Sequence, residues 1–155
     1  MNIAIEPIAY VSNRIKERRD DKWENIISVI KLNDNTPTSA IAGLKDFSHL
    51  EVIFYFNRIE KSEIYFGTRH PRNNTKYPKV GIFAQRASKR PNLIGSTIVK
   101  LIEIKNRNIR VQGLDAIDGT PVLDLKPVIK ELLPSKEEVF QPAWSVDLMK
   151  NYWQQ

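Results

Sequence analysis

The residues best suited to chemistry fall in two short stretches. The first is Arg86-Ala-Ser-Lys-Arg90-Pro91-Asn92-Leu-Ile-Gly95-Ser96-Thr97. Pro91 fixes its own φ and keeps Arg90 extended. Gly95 allows close backbone approach, and Asn92 can hydrogen-bond neighbouring backbone. A loop restrained in this way holds its amides and carbonyls still, which suits a small polar ligand among the cations Arg86, Lys89 and Arg90. A rigid strand connection with basic side chains in solvent fits the same features. The second stretch is Gly113-Leu-Asp115-Ala116-Ile117-Asp118-Gly119-Thr120-Pro121. Asp-Gly between two apolar runs is a strong hairpin signal, so turn structure alone explains Asp118 and Gly119. Asp115 and Thr120 carry no such obligation. A carboxylate there is a plausible partner for a ribose hydroxyl or for the cationic part of a ligand.

Several other chemistries are poorly supported. There is no cysteine, hence no disulfide, thiol nucleophile or thiolate metal site. The two histidines, His49 and His70, lie in different segments without ligand spacing to a second donor, so no metal is expected. His49 precedes an apolar strand and reads as structural. His70, in a polar loop, fits ligand or RNA contact and plain exposure equally. The Gly-x-Gly-x-x-Gly fingerprint and the P-loop are absent, as is the strand–helix rhythm of a doubly wound fold. A nucleoside ligand would therefore sit on a β scaffold.

Charge points toward a polyanion. Lys and Arg number 24 against 18 Asp and Glu, a net +6, and they cluster. Arg14, Lys16, Arg18 and Arg19 form one group, Arg69, Arg72, Lys76 and Lys79 a second, and Arg86, Lys89 and Arg90 a third. Such clusters attract phosphate backbones, although a solvated basic surface has the same composition. No apolar stretch approaches the roughly 18–20 residues that cross a bilayer. The N-terminus lacks the pattern of a secretory signal, and a cytoplasmic location is expected.

The elements that must position these loops are mostly strands. Ile3 and Ile5 alternate with polar neighbours, as do Ser28, Ile30 and Leu32. Residues 51–56 form a β-branched and aromatic run, and 98–104 and 109–111 are two further strands around a polar tetrapeptide, 105–108. Residues 122–125 follow Asp118-Gly119. Short strands at regular spacing predict a mainly β fold, an antiparallel sheet closed into a barrel. Helices are few: one capped by Ser39 and running to Leu44, and a terminal one over 146–153 with Ser145 as cap and Asp147 in its first turn. Residues 67–78 form a polar loop long enough to invite a functional explanation. With 155 residues and no internal repeat, a single domain over 1–155 is expected.

Taken together, Val80-Gly-Ile-Phe-Ala-Gln-Arg86, Arg90-Pro-Asn-Leu-Ile-Gly95 and the run 113–127 resemble the tRNA threonylcarbamoyladenosine N6-methyltransferase family, called TrmO and also YaeB or TsaA-like. The resemblance extends to Leu44-Lys-Asp-Phe-Ser-His-Leu50, Pro142-Ala-Trp-Ser145 and Tyr152-Trp153, and so covers nearly the whole chain. It implies a single-sheeted β-barrel that binds S-adenosyl-L-methionine, a homodimer, and methylation of adenosine in the tRNA anticodon loop. It places cofactor contacts at Asn57, Arg58, Arg86, Ser96 and the turn Asp115, Ala116, Ile117, Asp118, Gly119, Thr120. RNA contacts are assigned to Arg69, His70, Arg72, Lys89, Arg90 and Asn92. Some positions depart from the family pattern. Leu93 stands at a common proline, Ser96-Thr97 at a common Leu-Ser, and Asn57 at a frequent histidine. Residues 18–23 occupy the region of a Pro-Arg-Gln element, and a short form without a C-terminal domain is expected.

Methyl transfer to an adenine N6 needs the amine held in line with the methyl donor, and a base to take a proton. Candidate bases are Asp115, Asp118 and the pair Asp20-Asp21. Trp23 and Tyr77 are candidate stacking surfaces, with packing the simpler role for each. Two other functions stay open at this point: a barrel of the same fold methylating a different substrate, and a non-catalytic RNA- or small-molecule-binding barrel.

Overall fold

In the computed structural model, which describes residues 1–154, the first strands are β1 (Ala9–Ser12), β2 (Ile27–Leu32) and β3 (His49–Tyr55). The others are β4 (Thr68–Arg69), β5 (Val80–Gly81), β6 (Ile94–Lys105), β7 (Asn108–Gln112) and β8 (Pro121–Pro127). Six of them close an antiparallel barrel in the order β1-β2-β7-β6-β3-β8, with β8 returning to β1 through Ala9↔Val122. β4 and β5 form a separate two-stranded ribbon inside the long polar loop region. The barrel predicted from the strand spacing is thus present.

Alternation supplies the core. Ala9 and Val11, Ile30 and Leu32, Leu50, Val52 and Phe54, and Ile109 and Val111 are buried at every second position of their strands. The side-chain period of two is what lets one face fill the barrel while the other meets solvent. β6 is long enough to serve both β3 and β7, and its register shifts between Leu101 and Glu103, an irregularity of the kind that bends a strand around a closing sheet. Gly95 has a packing reason: a Cβ there would lie 2.6 Å from the Phe54 ring and 2.8 Å from Phe56. Gly95→Ala should therefore destabilise the barrel by about 1–3 kcal/mol, read from urea unfolding midpoints; an unchanged midpoint would mean that the two rings yield freely.

Four expectations need correction. Ile3 and Ile5 form no strand and are exposed, Ile3 at 76%. Pairing begins only at Ala9↔Leu32, and the Asn33 side chain donates to the Pro7 carbonyl just before it. Ser39 lies inside a 3-10 helix, Thr38–Ile41, that starts after Pro37, and a second short one, Leu44–Asp46, follows Gly43. The terminal helix α1 is Ala143–Met149, with Pro142 at its N-cap; the Ser145 hydroxyl donates back to the Pro142 carbonyl instead of capping. Asp147 accepts from Tyr77 and Lys150 and is not in the first turn. Asp118-Gly119 is a turn with Gly119 at φ 78, yet it joins no hairpin, because β7 and β8 are not neighbours.

That last correction matters for the site. In the ring of strands β7 and β8 stand opposite one another, so residues 113–120 must cross an end of the barrel. Leu114 and Ala116 point into the core and are buried. Asp115 lies between them and is directed elsewhere.

Candidate functional site

The crossing segment lines a cleft of about 200 Å³ at this end of the barrel through Asp115, Ala116, Ile117 and Thr120. Asn57 and Arg58, just past β3, form a second side. The Phe56 amide donates to the Leu93 carbonyl, which ties the end of β3 to the loop before β6. Phe54 and Phe56 make an apolar floor, their rings edge to face at 5.3 Å. The facing wall comes from Arg18, Arg19, Asp20 and Trp23. Arg19 stacks its guanidinium 4.5 Å above the Trp23 ring and donates to the Lys22 carbonyl. Arg72 clamps Asp21 with two bonds of 2.8 and 2.9 Å, which fixes this wall to the loop beyond β4.

Asp115 is the chemical centre of the cleft. One of its carboxylate oxygens accepts from the Thr97 hydroxyl and the other from the Tyr152 hydroxyl. Burial pushes its carboxyl above the ordinary aspartate range. The two hydroxyl donors and the nearby positive charge of Arg86 act in the opposite direction without cancelling it. A half-buried, hydrogen-bonded carboxylate with a raised proton affinity can orient hydroxyl or amine donors and can accept a proton more readily than an ordinary aspartate.

The structure divides the predicted site residues. Asn57, Arg58, Asp115, Ala116, Ile117 and Thr120 meet at the cleft. Arg86 and Ser96 meet one another, Arg86 Nη2 lying 2.6 Å from the Ser96 carbonyl, but stand beside the cleft and do not line it. Asp118 lies outside: its carboxylate accepts from the Asn13 amide at 3.0 Å and the Lys16 ammonium at 2.5 Å. Those bonds, Lys16 first, hold its carboxyl below the usual range, so it is a weak base. Gly119 donates its amide to the Val11 carbonyl and serves the turn. Among the base candidates, Asp20 lines the cleft and Asp21 is taken by Arg72.

The residues assigned to RNA are mostly engaged within the chain. Lys89 pairs with Glu63 at 2.7 Å, Arg90 donates to the Gln85 carbonyl, and His70 Nδ1 lies 2.6 Å from the Tyr77 carbonyl. Arg69 lies over the Tyr65 ring, and Asn92 adopts a positive φ of 65° that shapes its loop. Tyr77 donates to Asp147 and packs on Trp144, a packing role, whereas Trp23 is buried at 3% exposure and still lines the cleft. Sequence reasoning missed Phe54, Phe56, Ile59 and Ser88. Nothing in an apolar strand distinguishes a ring that faces a cleft from one that fills the core.

Residues 16–132 match the family described as tRNA-methyltransferase O N-terminal domain. The chain belongs to the TrmO family. The resemblance read from the loop motifs is thereby borne out. Human tRNA (adenine(37)-N6)-methyltransferase is 31% identical over 158 aligned residues, which cover 97% of this chain and 35% of that protein. A probable S-adenosyl-L-methionine-binding protein of Methanothermobacter thermautotrophicus is 33% identical over 136 residues, 85% of this chain and 94% of the relative. A crystal structure of TrmO from Pseudomonas aeruginosa superimposes with a TM-score of 0.70 at 26% identity, over 90% of this chain and 61% of that one. The chain thus spans about a third of the human relative and nearly all of the archaeal one. Among the described residues no helix is long and apolar enough to cross a membrane, and no three acidic or imidazole side chains gather as a metal site.

Proposed function

We propose that this chain is an S-adenosyl-L-methionine-dependent methyltransferase that acts on tRNA, at N6 of the threonylcarbamoylated adenosine beside the anticodon. The observation that carries the reading is the cleft in which Asp115 stands over an apolar floor, inside a TrmO-family barrel. The residues fit an adenosine-containing cofactor. Phe54 and Phe56 suit a flat purine, while Asp115 and Asn57 offer acceptors for hydroxyl and amine donors. When bound, S-adenosyl-L-methionine supplies an electrophilic methyl group. The chain's part is to hold the adenine amine in line, exclude water, and take the proton that leaves the nitrogen. Asp115 and Asp20 are the carboxylates lining the cleft; Asp115, with its raised proton affinity, is the stronger candidate base. An anticodon-loop adenine is already unpaired, which lowers the cost of presenting it.

Cytoplasmic action, a single cofactor-binding domain over residues 1–155 and a homodimer belong to the same proposal. The cleft, at about 200 Å³, is smaller than the roughly 300 Å³ and upward of most small-molecule sites, so a second copy completing it is a natural arrangement. Residues 128–141 also expose Ile129, Leu132, Leu133, Val139 and Phe140, the last at 93%. Light scattering should give twice the monomer mass, and a monomer at micromolar concentration would remove the dimer.

Calorimetry with S-adenosyl-L-methionine followed by labelled methyl transfer to unmethylated tRNA tests the activity. Binding without transfer to any RNA would overturn the enzyme reading in favour of a binding barrel. An unchanged nucleoside profile in a deletion strain would overturn the tRNA substrate. Arg86 is exposed, and its best contact is the Ser96 carbonyl. Arg86→Ala is expected to cost no more than about 1 kcal/mol of stability yet weaken cofactor binding roughly tenfold, through loss of a charged donor beside the cleft. Equal affinity in the two proteins would take Arg86 out of the site.

A further inference from the structure

The C-terminal segment after α1 enters the site through one bond to Asp115, yet its main chain also pairs with the opposite wall. The Lys22 amide donates to the Asn151 carbonyl at 3.3 Å and the Trp23 amide to the Tyr152 carbonyl at 3.0 Å. The segment therefore pairs with the wall that carries Arg19, Asp20 and Trp23. The Tyr152 hydroxyl meanwhile donates to Asp115 on the crossing segment opposite. One residue thus touches both sides, with its main chain on one and its side chain on the other. Its neighbours seat it: the Trp153 ring meets Tyr152 edge to face at 4.9 Å and lies 3.6 Å from where a Cβ on Gly113 would stand. Upstream, α1 is pinned by the Tyr77 hydroxyl on Asp147 at 2.7 Å.

The geometry points to Tyr152 as a positioning residue that fixes the Asp115 carboxylate and the spacing of the two cleft walls. This inference rests on the methyltransferase reading of the cleft. A carboxylate rotates about its Cβ–Cγ bond unless both oxygens are held. Here Thr97 holds Oδ1 and Tyr152 holds Oδ2, and each oxygen keeps a lone pair for a ligand. A phenylalanine at 152 would retain the packing on Trp153 and the main-chain bond to Trp23. It would free one oxygen and remove a donor that favours the charged carboxylate.

The sign follows from that loss. A donor to the ionised form lowers a carboxyl pKa, so removing it raises the pKa. The other groups around Asp115 remain in place: Thr97 from β6, Arg86 from the loop before it, Arg18, Arg19 and Asp20 from the facing wall, Arg58 after β3, and Arg72 beyond β4. Burial and the Asp115 charge hold the Tyr152 hydroxyl well above the ordinary tyrosine range, so it stays a donor throughout the accessible pH.

The test is Tyr152→Phe in the full chain. Carbon-13 NMR of the side-chain carboxyls in the ligand-free protein should show Asp115 titrating about one pH unit higher in the variant. The thermal midpoint should stay within a few degrees. The acid limb of kcat/KM should move up by the same interval, and S-adenosyl-L-methionine should bind about tenfold more weakly. Asp115 titrating at the same pH in both proteins would overturn the proposal, as would a variant whose affinity and pH profile match the wild type. A shifted Asp115 in a chain that binds no S-adenosyl-L-methionine would instead overturn the methyltransferase reading and leave the positioning role supported.

Discussion

Replacing Asp115 with asparagine is expected to lower kcat/KM for methyl transfer about 100-fold, from the loss of a charge-assisted contact worth roughly 1.5–3 kcal/mol together with the loss of the base. The geometry makes the isosteric change severe. Thr97 and Tyr152 donate to different oxygens, so an amide must turn its NH2 toward one of two hydroxyl donors. Whichever way the amide lies, one hydroxyl must turn from donor to acceptor, and two charge-assisted bonds become weaker neutral ones. Fold stability should change little, because burying a carboxyl above its usual pKa already costs free energy that an amide does not incur. Steady-state kinetics with S-adenosyl-L-methionine and unmethylated tRNA, beside a thermal melt, checks both halves. A reduction below threefold would remove Asp115 from the reacting centre. Asp118→Asn provides the contrast, since that carboxylate serves Asn13 and Lys16 outside the cleft.

Phe54→Ala should cost about 3–5 kcal/mol, a drop in thermal midpoint of roughly 10–15 °C for a chain of this size. Phe54 is 2% exposed and meets Phe56 edge to face. Its ring fills the space left by Gly95, and its strand neighbour Val122 belongs to β8, at the seam that closes the barrel. Truncation opens a cavity between the floor of the cleft and the core. Collapse into it is limited because residues 113–120 are held at both ends by β7 and β8. Denaturant unfolding gives the measurement, and a loss below about 1 kcal/mol would mean that the floor repacks around the gap.

The cleft floor is also core. Function and folding draw on the same rings here, and substitutions at Phe54 should alter ligand affinity as well as stability. Asp115, by contrast, is a half-buried polar group held by two hydroxyl donors.

Much of the barrel was legible because its signals are local. Residues 51–56, 98–104 and 109–111 are short runs rich in β-branched and aromatic residues; the last two lie within observed strands, and the first overruns its strand only by Phe56. The hairpin at 105–108 closes through Asn106 at φ 54, a conformation asparagine tolerates. Local signals also misled. Ile3 and Ile5 alternate as a strand would but have no partner to pair with, and alternation by itself does not supply one. Ser145 resembles an N-cap, yet Pro142 already begins the helix.

At the site the division runs along the same line. The loop motifs sufficed to identify the family and to single out residues 113–121 as a ligand-binding stretch, because they are fixed strings of residues with restricted backbones. Tertiary structure decided which carboxylate matters. Asp115 and Asp118 are three residues apart, but the crossing segment sends one into the cleft between Thr97 and Tyr152 and the other out to Lys16. It also decided that Arg18, Arg19 and Trp23 face Asp115 across the cleft, and that Tyr152 spans the gap from the far end of the chain. Residue type and spacing determine what a segment can become, because helix, strand and turn preferences act over a few residues. Which segments meet depends on how the barrel closes, and only the closed barrel brings residues 23, 97, 115 and 152 to one place.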